Sequence, residues 1–365
     1  MGPNSFGLLL KMTTFGESHG PGIGLVLDGV PPGLALDLDA IQKELDRRRP
    51  GQSDLTTPRN ERDRIEVLSG LYDGMTTGAP LTLFVANKDH NPSAYDDIAH
   101  LFRPGHADLT MLARYGIRDP RGSGRISGRE TLARVAAGAV ARQILADLGV
   151  EILGAVERIA GVQADLTHWD RLARTDPLAA KALTEKHPTR CPDPGAAEEM
   201  AQAIRDASAE GDSVGGVVVV EAVRIPAGLG DPVFGKLDGL LGWAMLSIGG
   251  VKGVEIGDGF GITDLRGSQA NDPIGPGGLE SNHCGGLLGG ISTGGPIRIR
   301  LAVKPTASIA KPQRTTDDQG NEATIQVEGR HDPCLCPRIL PVAEAMAAFV
   351  LADAVVRRRA TGPDW

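Results

Sequence analysis

Residues 297–304 of the chain read IRIRLAVK, the plainest β-strand pattern in the sequence. Apolar side chains occupy the odd-numbered positions of this stretch, and arginine, alanine or lysine occupies the even-numbered ones. Alternation with a period of two places the apolar side chains on one face of a sheet. The stretch therefore predicts a β-strand that buries one of its faces.

Helices and further strands are predicted on the N-terminal and C-terminal sides of this strand. The clearest helix is ETLARVAAGAVARQILADL at 130–148, whose apolar positions form one stripe and which Gly149 ends. A final helix is predicted to begin near Pro341 and to end at Arg357–Arg359. The remaining predicted strands are 22–29, 80–86, 215–223, 251–257 and 323–328, and the remaining predicted helices run from Asp37 or Asp39 to Pro50 and over 195–209 and 234–248. Because strands and helices do not alternate strictly, the sequence predicts an α+β fold with antiparallel sheet. No linker is visible that would divide residues 1–365 into separate domains.

The composition disfavours several classes of protein. The chain has 365 residues, of which 41% are hydrophobic, and a net charge of −8. An acidic balance disfavours a general nucleic-acid binder, which usually carries a basic excess. No apolar run approaches the roughly 20 residues that span a bilayer, and the N-terminal residues lack a signal-peptide pattern. The sequence thus predicts a cytosolic protein that binds neither nucleic acid nor membrane.

Several catalytic and metal-binding motifs do not occur in the sequence. Cys334 and Cys336 form C-x-C, which differs from the C-x-x-C pairs of zinc sites, and the histidines lack metal-ligand spacing. The sequence therefore predicts reduced, structural thiols and no metal. The glycine-rich stretch 20–24 does not meet the dinucleotide-binding fingerprint, and the G-x-S-x-G elbow of serine hydrolases does not occur.

Arginines gather at bends that also contain glycine or proline. They occur in RRRPG (47–51), FRPGHAD (102–108) and RDPRGSGRISGRE (118–130). A guanidinium on such a bend can offer a fork of donors to a carboxylate or phosphate. In an acidic protein this arrangement indicates a small polyanionic ligand. The alternative for each cluster taken alone is solvated surface charge, with the first cluster satisfying the end of a helix.

Two histidines stand on loops flanked by glycine. His19 lies in GESHG and His106 in RPGHAD. Because imidazole titrates near neutral pH, a loop histidine in a cleft can give or take a proton. A third motif, GRHDPC, places Asp332 close to Arg330. The alternative for each histidine is a polar surface position or a structural hydrogen bond.

Along nearly its whole length the sequence resembles the chorismate synthases. The matching stretches are TTFGESHGPGIGLVLDGVPPG (13–33), DRRRPGQS (46–53), FRPGHADLT (102–110), YGIRDPRGSGRISGRETLARVAAGA (115–139), SNHCGGLLGGISTGGPI (281–297), KPTASI (304–309) and GRHDPCLCPRILPVAEAMAAFVLAD (329–353). Several long motifs in the same order make this resemblance specific.

The resemblance implies an architecture and a reaction. It implies a single α+β domain over residues 1–365, with helices sandwiched between antiparallel β-sheets, assembled as a homotetramer. It also implies bound reduced FMN and the 1,4-elimination of phosphate from 5-enolpyruvylshikimate 3-phosphate to give chorismate, the last step of the shikimate pathway, without net redox. NADPH as the reductant of the flavin stays open, since only some members use it.

The resemblance also implies roles for individual residues. His106 would protonate the reduced flavin or steady its charge, His19 would assist the departing phosphate, and Asp332 would relay a proton from the flavin ring. The implied substrate ligands are Arg48, Arg103, Arg129 and Arg330. The implied flavin-binding residues are Arg125, Ile126, Ser127, Gly249, Gly250, Gly289, Lys304, Pro305, Thr306, Ala307, Ser308 and Arg330.

Some positions depart from the family pattern. Ile126, Gly249 and Ala307 stand where side chains with a hydroxyl or amide group are common, so the flavin contacts expected there come from the backbone. Asp54 stands where arginine is common. Like charges about 4 Å apart near a protein surface repel by roughly 4 kcal/mol, so Asp54 is expected to point away from the substrate and to pair with Arg59 or Arg62. Arg48 would then carry more of the anion binding.

Two other functions are alternatives to this prediction. A flavin reductase or flavoprotein dehydrogenase would need a nicotinamide site, for which the sequence shows no motif. A non-catalytic anion-binding protein on the same scaffold is disfavoured by the presence of His19, His106 and Asp332 together.

Overall fold

The computed structural model describes residues 2–53, 55–56, 63–87, 98–121, 123–327 and 331–363. Its helices are α1 (Leu38–Arg48), α2 (Asp108–Tyr115), α3 (Thr131–Ala146), α4 (Thr167–Thr175), α5 (Pro177–Thr184), α6 (Pro194–Ala209), α7 (Leu237–Leu246), α8 (Gly267–Ala270) and α9 (Cys336–Thr361). Its strands are β1 (Ser5–Phe6), β2 (Lys11–Gly16), β3 (Gly22–Asp28), β4 (Glu66–Ser69), β5 (Leu71–Tyr72), β6 (Met75–Thr76), β7 (Leu81–Ala86), β8 (Glu151–Ile159), β9 (Val162–Gln163), β10 (Gly216–Val223), β11 (Val251–Ile256), β12 (Ile274–Gly275), β13 (Gly278–Leu279), β14 (Leu287–Leu288), β15 (Ile291–Ser292), β16 (Ile297–Val303), β17 (Gln313–Thr316) and β18 (Glu322–Ile325).

Two five-stranded antiparallel sheets form the outer layers. The first has the strand order β1-β2-β3-β7-β4, and the second has the order β11-β16-β10-β8-β9. The stretch IRIRLAVK forms β16, between β11 and β10, and its odd-numbered side chains are buried. On its other face Arg298 pairs with Glu221, and Arg300 pairs with Glu157 and Glu255. The predicted strand with one buried face is thereby confirmed.

Helices α3 and α9 lie side by side between the two sheets. Helix α3 contacts β2 and β3 of the first sheet, and α9 contacts β8 and β10 of the second. Both helices are apolar on nearly all sides, as expected of helices with protein on every face. They approach closely at Gly138, where a Cβ atom would lie 2.4 Å from the Cα of Ala345. The predicted α+β sandwich is confirmed.

Helix α9 begins earlier than the sequence predicts. The predicted start near Pro341 is wrong, because the helix begins at Cys336 with Pro337 in its first turn. Pro341 lies inside the helix and has no N–H to donate to the carbonyl of Pro337, four residues back. The buried guanidinium of Arg190 donates to that carbonyl through Nη1 instead. A side chain from outside the helix thus satisfies the acceptor that Pro341 leaves.

Helix α9 is also long and apolar enough to cross a bilayer. However, 94% of its most apolar window is buried inside the described protein. This helix is therefore part of the protein core.

Most of the other predicted elements are present with small shifts. Helix α1 has Asp37 as its N-cap, with the side chain accepting a bond of 2.9 Å from the amide of Ala40. The strand predicted at 323–328 is Glu322–Ile325 in the described residues, and it pairs with β17. Strands β2 and β8 and helices α4 and α5 were not predicted.

Candidate active site

His19 lies in the turn that joins β2 to β3. The turn is narrow: Gly16 ends β2 with φ +90°, and a Cβ atom there would lie 2.1 Å from the carbonyl oxygen of Gly22. Only glycine fits such an approach without moving the backbone. His19 itself is 8% exposed, so its imidazole lies largely inside the protein. The fold therefore holds this predicted catalytic residue in a tight turn, with its imidazole turned into the protein.

Arg48 and Arg129 share one buried carboxylate, that of Asp63. Nη2 of Arg48 pairs with Oδ2 of Asp63, and Nη1 of Arg129 lies 3.0 Å from Oδ1. Arg48 and Asp63 are 1% and 0% exposed. Burial, together with the neighbouring Arg338 and Arg129, lowers the pKa of Arg48 to about 10, while Asp63 opposes the shift. Arg48 therefore still carries its charge at neutral pH.

Asp332 belongs to the same cluster through Arg338. Nη1 of Arg338 pairs with Oδ2 of Asp332, and its Nε donates to the carbonyl of Arg48 at 3.4 Å. Arg338 lies in the first turn of α9, which brings it to the end of α1. The contacts thus join Arg48, Arg129 and Asp332, three of the predicted site residues, and add Arg338 to them.

Arg103 is tied to Asp108, in the first turn of α2. Its Nε lies 2.8 Å from Oδ2 and its Nη2 lies 2.7 Å from Oδ1, so the pair is bidentate. Nη2 also donates to Oγ of Ser123 at 2.7 Å. The next residue, Gly124, accepts a long bond of 3.5 Å from the amide of Ser18 through its carbonyl. Arg103 is therefore connected to the turn of His19 through 123–124.

His106 lies against the segment that follows β16. Its Nε2 is 2.8 Å from Oγ of Ser308, and the preceding Gly105 accepts a bond of 2.7 Å from Nζ of Lys304. Burial and the positive charges of Arg103, Lys304 and His331 lower the pKa of His106 to about 4, while Asp108 opposes the shift. His331, which precedes Asp332 in the chain, is thus near enough to His106 to act on its charge.

Part of the predicted flavin site is assembled by backbone contacts. The amide of Lys304 donates to the carbonyl of Gly250 at 2.9 Å, which places 249–250 beside 304–308. A Cβ atom at Gly249 would have no neighbour within 4 Å, so the backbone there faces open space. The carbonyl of Thr306 accepts a bond of 2.7 Å from the hydroxyl of Ser213. The predicted segments 249–250 and 304–308, which include Pro305 and Ala307, therefore lie together.

The other described flavin residues of the prediction make contacts of their own, and their role toward the flavin stays a prediction. Arg125 points to the first sheet, where its Nη2 lies 2.7 Å from Oγ1 of Thr14. Ser127 accepts a bond of 3.3 Å from the amide of Arg129, and Ile126 is 46% exposed. Gly289 lies in the turn between β14 and β15, where a Cβ atom would meet nothing within 4 Å. Arg330, Asp54, Arg59 and Arg62 lie outside the described residues, and so does the predicted pairing of Asp54.

Four residues of the site were not predicted from the sequence. They are the partners of predicted residues: Asp63, Asn87, Asp108 and Arg338. Asp108 follows His106 closely within FRPGHAD, and Arg338 lies in the matched stretch 329–353, so both stood inside recognised motifs. Asp63 and Asn87 lie outside all the matched stretches. Their roles become visible only in the folded chain.

A cavity of about 310 Å³ lies apart from these residues. Its walls include Arg174, Glu221, Asp258, His283 and Arg298, none of which was predicted as a site residue. Most of these charges are paired within the wall, since Arg298 lies 2.7 Å from Glu221 and His283 lies 2.6 Å from Asp258. The paired charges do not indicate a second anion site, so the candidate active site stays with the arginine cluster.

The fold and the site together define a class of protein. Three guanidinium groups, two buried carboxylates and two largely buried histidines are held between the first sheet, the central helices and the loop that follows β16. Such an arrangement suits an enzyme that binds an anionic substrate and moves protons on it.

Comparisons with known proteins identify the family. A family model described as chorismate synthase matches residues 10–356. The chain is 51% identical to the chorismate synthase of Chloroflexus aggregans, over 99% of this chain and 98% of that protein. It is 49% identical to the chorismate synthase of Methanopyrus kandleri, over 99% of this chain and 95% of that protein. A solved structure described as "Crystal Structure of Chorismate Synthase" matches with a TM-score of 0.77 and 34% identity, covering 98% of this chain and 94% of that one.

The chain belongs to the chorismate synthase family. It is therefore a carbon–oxygen lyase of the shikimate pathway, which forms chorismate from 5-enolpyruvylshikimate 3-phosphate in the final step. The family uses reduced FMN in this reaction.

The described residues fit a flavin beside the joined segments 249–250 and 304–308. Oγ1 of Thr306 is buried and has no hydrogen-bond partner in the described part of the chain. A buried hydroxyl of this kind is destabilising unless a ligand or solvent satisfies it. The open backbone at Gly249 lies next to the same segment. A group with polar edges, such as the flavin ring or its phosphate, would satisfy the hydroxyl and approach the backbone.

Proposed function

We propose that phosphate elimination takes place where the His19 turn, the arginine cluster and the 304–308 segment meet. The observation that carries this proposal is the chain of contacts from Arg48 through Asp63 to Arg129, and from Arg48 through Arg338 to Asp332. These contacts bring predicted substrate ligands and a predicted proton-transfer residue to one place.

The arginine cluster supplies the binding site for the anionic substrate. In the described part of the chain, the guanidinium groups of Arg48, Arg129 and Arg338 gather around the carboxylates of Asp63 and Asp332. A guanidinium group offers directed, charged donors to a phosphate or carboxylate group of the substrate. Direct contact of Arg48 with the substrate stays a prediction, since Asp63 occupies its Nη2.

His19, His106 and Asp332 manage protons during the elimination. When bound, reduced FMN supplies electron density to the breaking C–O bond without net redox. The imidazole of His19 stabilises the departing phosphate by giving a proton or a hydrogen bond to one of its oxygens. The carboxylate of Asp332, held by Arg338, would relay a proton from the flavin ring. His106, whose pKa is low without a ligand, gains a proton when a negative charge is brought next to it.

Arg103 acts in this scheme as a charge held at a fixed place. Its bidentate contact with Asp108 and its bond to Ser123 leave its guanidinium no freedom to turn. It therefore contributes to anion binding through its electrostatic potential beside His106. Lys304 adds a second positive charge on the same side, anchored at the carbonyl of Gly105.

Assembly as a homotetramer is part of the proposal, and exposed apolar side chains near α7 support it. Phe234 is 99% exposed, Val233 68%, Leu246 54% and Trp243 47%. Leu8 and Trp243 line the same small apolar depression beside α7. Exposed apolar patches of this kind are typical of surfaces that bind another protein.

The proposal also includes a single domain over residues 1–365 and a cytosolic location. The single domain is supported by one buried core that includes residues of both sheets.

The most specific part of the proposal is that NADPH reduces the flavin. The lyase reaction itself needs no net supply of electrons, so NADPH would serve only to restore reduced flavin. Under anaerobic conditions, NADPH and oxidised FMN should then yield chorismate, with far fewer molecules of NADPH oxidised than of chorismate formed. Oxidation of one NADPH for each turnover would instead favour the flavin reductase alternative.

An anaerobic assay tests the site directly. The purified chain receives chemically reduced FMN and 5-enolpyruvylshikimate 3-phosphate, and chorismate and phosphate are measured together. His19→Ala and Asp332→Asn should each lower the turnover by at least about tenfold, the lower end of a typical acid–base contribution. The native chain should form chorismate and phosphate in equal amounts. If it does so and both variants keep near-normal turnover, the chemistry takes place elsewhere in the protein.

A further inference from the structure

Asn87, at the end of β7, binds the backbone of the His19 turn. Its side-chain Nδ2 donates to the carbonyl oxygens of Glu17, Ser18 and Gly20 at 2.9, 3.3 and 2.8 Å. Its backbone amide donates to the carbonyl of Pro21 at 3.0 Å. The two protons of one amide group are thus shared among carbonyls on both sides of His19. This residue therefore fixes the turn, and with it the imidazole.

The other atom of the same amide group binds an arginine of the cluster. Oδ1 of Asn87 accepts a bond of 2.7 Å from Nε of Arg129. Nη1 of Arg129 in turn lies 3.0 Å from Asp63. The guanidinium is therefore held on two sides, by an amide oxygen and by a carboxylate. One side chain of fixed geometry separates the His19 turn from Arg129.

An amide suits this position better than the similar carboxylate. The carbonyl oxygens of the turn require a donor, and Arg129 requires an acceptor, so both ends of the amide are used. Aspartate would keep an acceptor for Arg129 but would place an oxygen against three carbonyl oxygens. Alanine would remove both contacts. Asn87→Asp and Asn87→Ala therefore separate the contact with the turn from the contact with the arginine.

We propose that Asn87 is a positioning residue that sets the distance between the imidazole of His19 and the guanidinium of Arg129. The inference rests on the proposed function, in which these two groups engage the same anionic substrate. A fixed distance lets both groups reach the substrate without reorganisation, and small displacements of catalytic groups lower rates strongly. Asn87 itself touches neither the substrate nor the reacting atoms in this proposal.

A double-mutant cycle with His19 tests the proposal. In the anaerobic assay, Asn87→Ala should lower kcat by at least about tenfold, in the range expected when a catalytic group is misplaced. Asn87→Asp should lower kcat similarly but raise KM less, because its contact with Arg129 is retained. In a protein that already carries His19→Ala, adding Asn87→Ala should lower kcat by less than about threefold. The effects of two residues that act through one another are not additive.

Asn321 offers a matched control. It lies in the exposed turn between β17 and β18, where its Nδ2 donates to Asp317 at 2.8 Å. Asn321→Ala should leave kcat and KM unchanged. Thermal unfolding and circular dichroism of each variant show whether it folds, and if Asn87→Ala does not fold, Asn87→Asp alone carries the cycle.

The outcomes distinguish this proposal from the proposed function. If His19→Ala lowers kcat but the effects of His19→Ala and Asn87→Ala multiply independently, Asn87 does not act through His19 and the positioning role is wrong. Normal kcat in a folded Asn87→Ala variant leads to the same conclusion. If His19→Ala itself retains normal kcat, the proposed role of His19 fails first, and the role of Asn87 fails with it.

Discussion

The imidazole of His106 lies 2.8 Å from the hydroxyl of Ser308, Nε2 to Oγ, although 202 residues separate them in the chain. This contact joins the loop before α2 to the segment after β16. Burial of the imidazole and the positive charges of Arg103, Lys304 and His331 lower the pKa of His106 to about 4. Without a ligand, His106 is therefore neutral at neutral pH.

We expect an anionic ligand to raise the pKa of His106. A negative charge next to the imidazole favours its protonated form and offsets the nearby positive charges. Nuclear magnetic resonance titration of the free protein should show a midpoint near 4 for His106. Adding the substrate should move the midpoint upward, and His106→Asn identifies the signal. An unchanged midpoint in the presence of substrate would show that the anion binds elsewhere.

The same low pKa predicts how stability depends on pH. In the unfolded chain histidine takes up a proton near pH 6.5, whereas folded His106 does so only near pH 4. The unfolded state therefore binds more protons between these values, and the contribution of His106 lowers the stability as the pH falls from about 6.5 to about 4. His106→Asn should reduce the pH dependence of the free energy of unfolding in this window. An identical profile for both proteins would contradict the low pKa.

His106→Ala should retain its fold but lose at least about tenfold in turnover, the low side of a typical acid–base contribution. The imidazole has a fixed place against Ser308 and contributes little to the apolar core. The anaerobic assay measures the loss, and FMN titration checks that binding is retained. His168→Ala, on the exposed side of α4, is the control and should be normal. Near-normal turnover of His106→Ala would remove this residue from the mechanism.

Local sequence patterns predicted much of the fold because they report single elements. The alternation in β16 depends only on which face of the strand is buried, and the long apolar run of α3 suits a helix that is buried on nearly all sides. Asp37 predicted the start of α1 for a similarly local reason, as an N-cap. The start of α9 predicted near Pro341 was wrong, because Pro341 lies inside the helix. The carbonyl of Pro337 that Pro341 leaves without a donor is satisfied by Arg190, which is far away in sequence.

The candidate site could be predicted only in part, since its partners come from distant segments. Family resemblance indicated His19, His106 and Asp332, which stand in long motifs. It did not indicate that Asp63 pairs with both Arg48 and Arg129. Which carboxylate neutralises which arginine is decided by tertiary packing, and a single Asp carries no local pattern. The arginine-rich bends indicated a polyanionic ligand, which agrees with the phosphate-bearing substrate of the family. They did not indicate that several of these arginines already pair with carboxylates of the protein.

Asp63→Asn should destabilise the protein strongly. The carboxylate is fully buried and pairs with two guanidinium groups, so its loss leaves both without their partner anion. Breaking a buried pair in this way typically costs about 3–5 kcal/mol. Urea unfolding measures the change. Glu322→Gln, which removes an ion pair whose side chains are more than 90% exposed, should change the stability by less than about 1 kcal/mol. Similar small effects from both variants would show that Asp63 does not hold the cluster.

FMN should bind more tightly when the substrate is present. In the proposed function the flavin and the anionic substrate share one site, where His106 lies against Ser308 of the flavin segment. Coupling between ligands is typically about 1–3 kcal/mol, which corresponds to roughly 5- to 150-fold in affinity. Titration of FMN fluorescence with and without substrate measures the difference, and equal affinities would count against a shared site.

Gly105→Ala should weaken FMN binding and lower turnover, whereas Gly116→Ala should not. Both glycines have a left-handed backbone, with φ +72° and +71°, so alanine introduces similar backbone strain at each. A Cβ atom at Gly105 would lie 2.8 Å from the Cβ of Ala307, but at Gly116 it would meet nothing within 4 Å. Gly105→Ala should lose more stability than Gly116→Ala in thermal unfolding, since the contact with Ala307 adds to the shared backbone strain, and FMN binding is therefore compared at a temperature where both variants are folded. Only Gly105→Ala pushes the His106 loop away from 304–308 and disturbs the contacts of Lys304 and Ser308. If both variants bind FMN equally well, the 304–308 segment is not part of the flavin site.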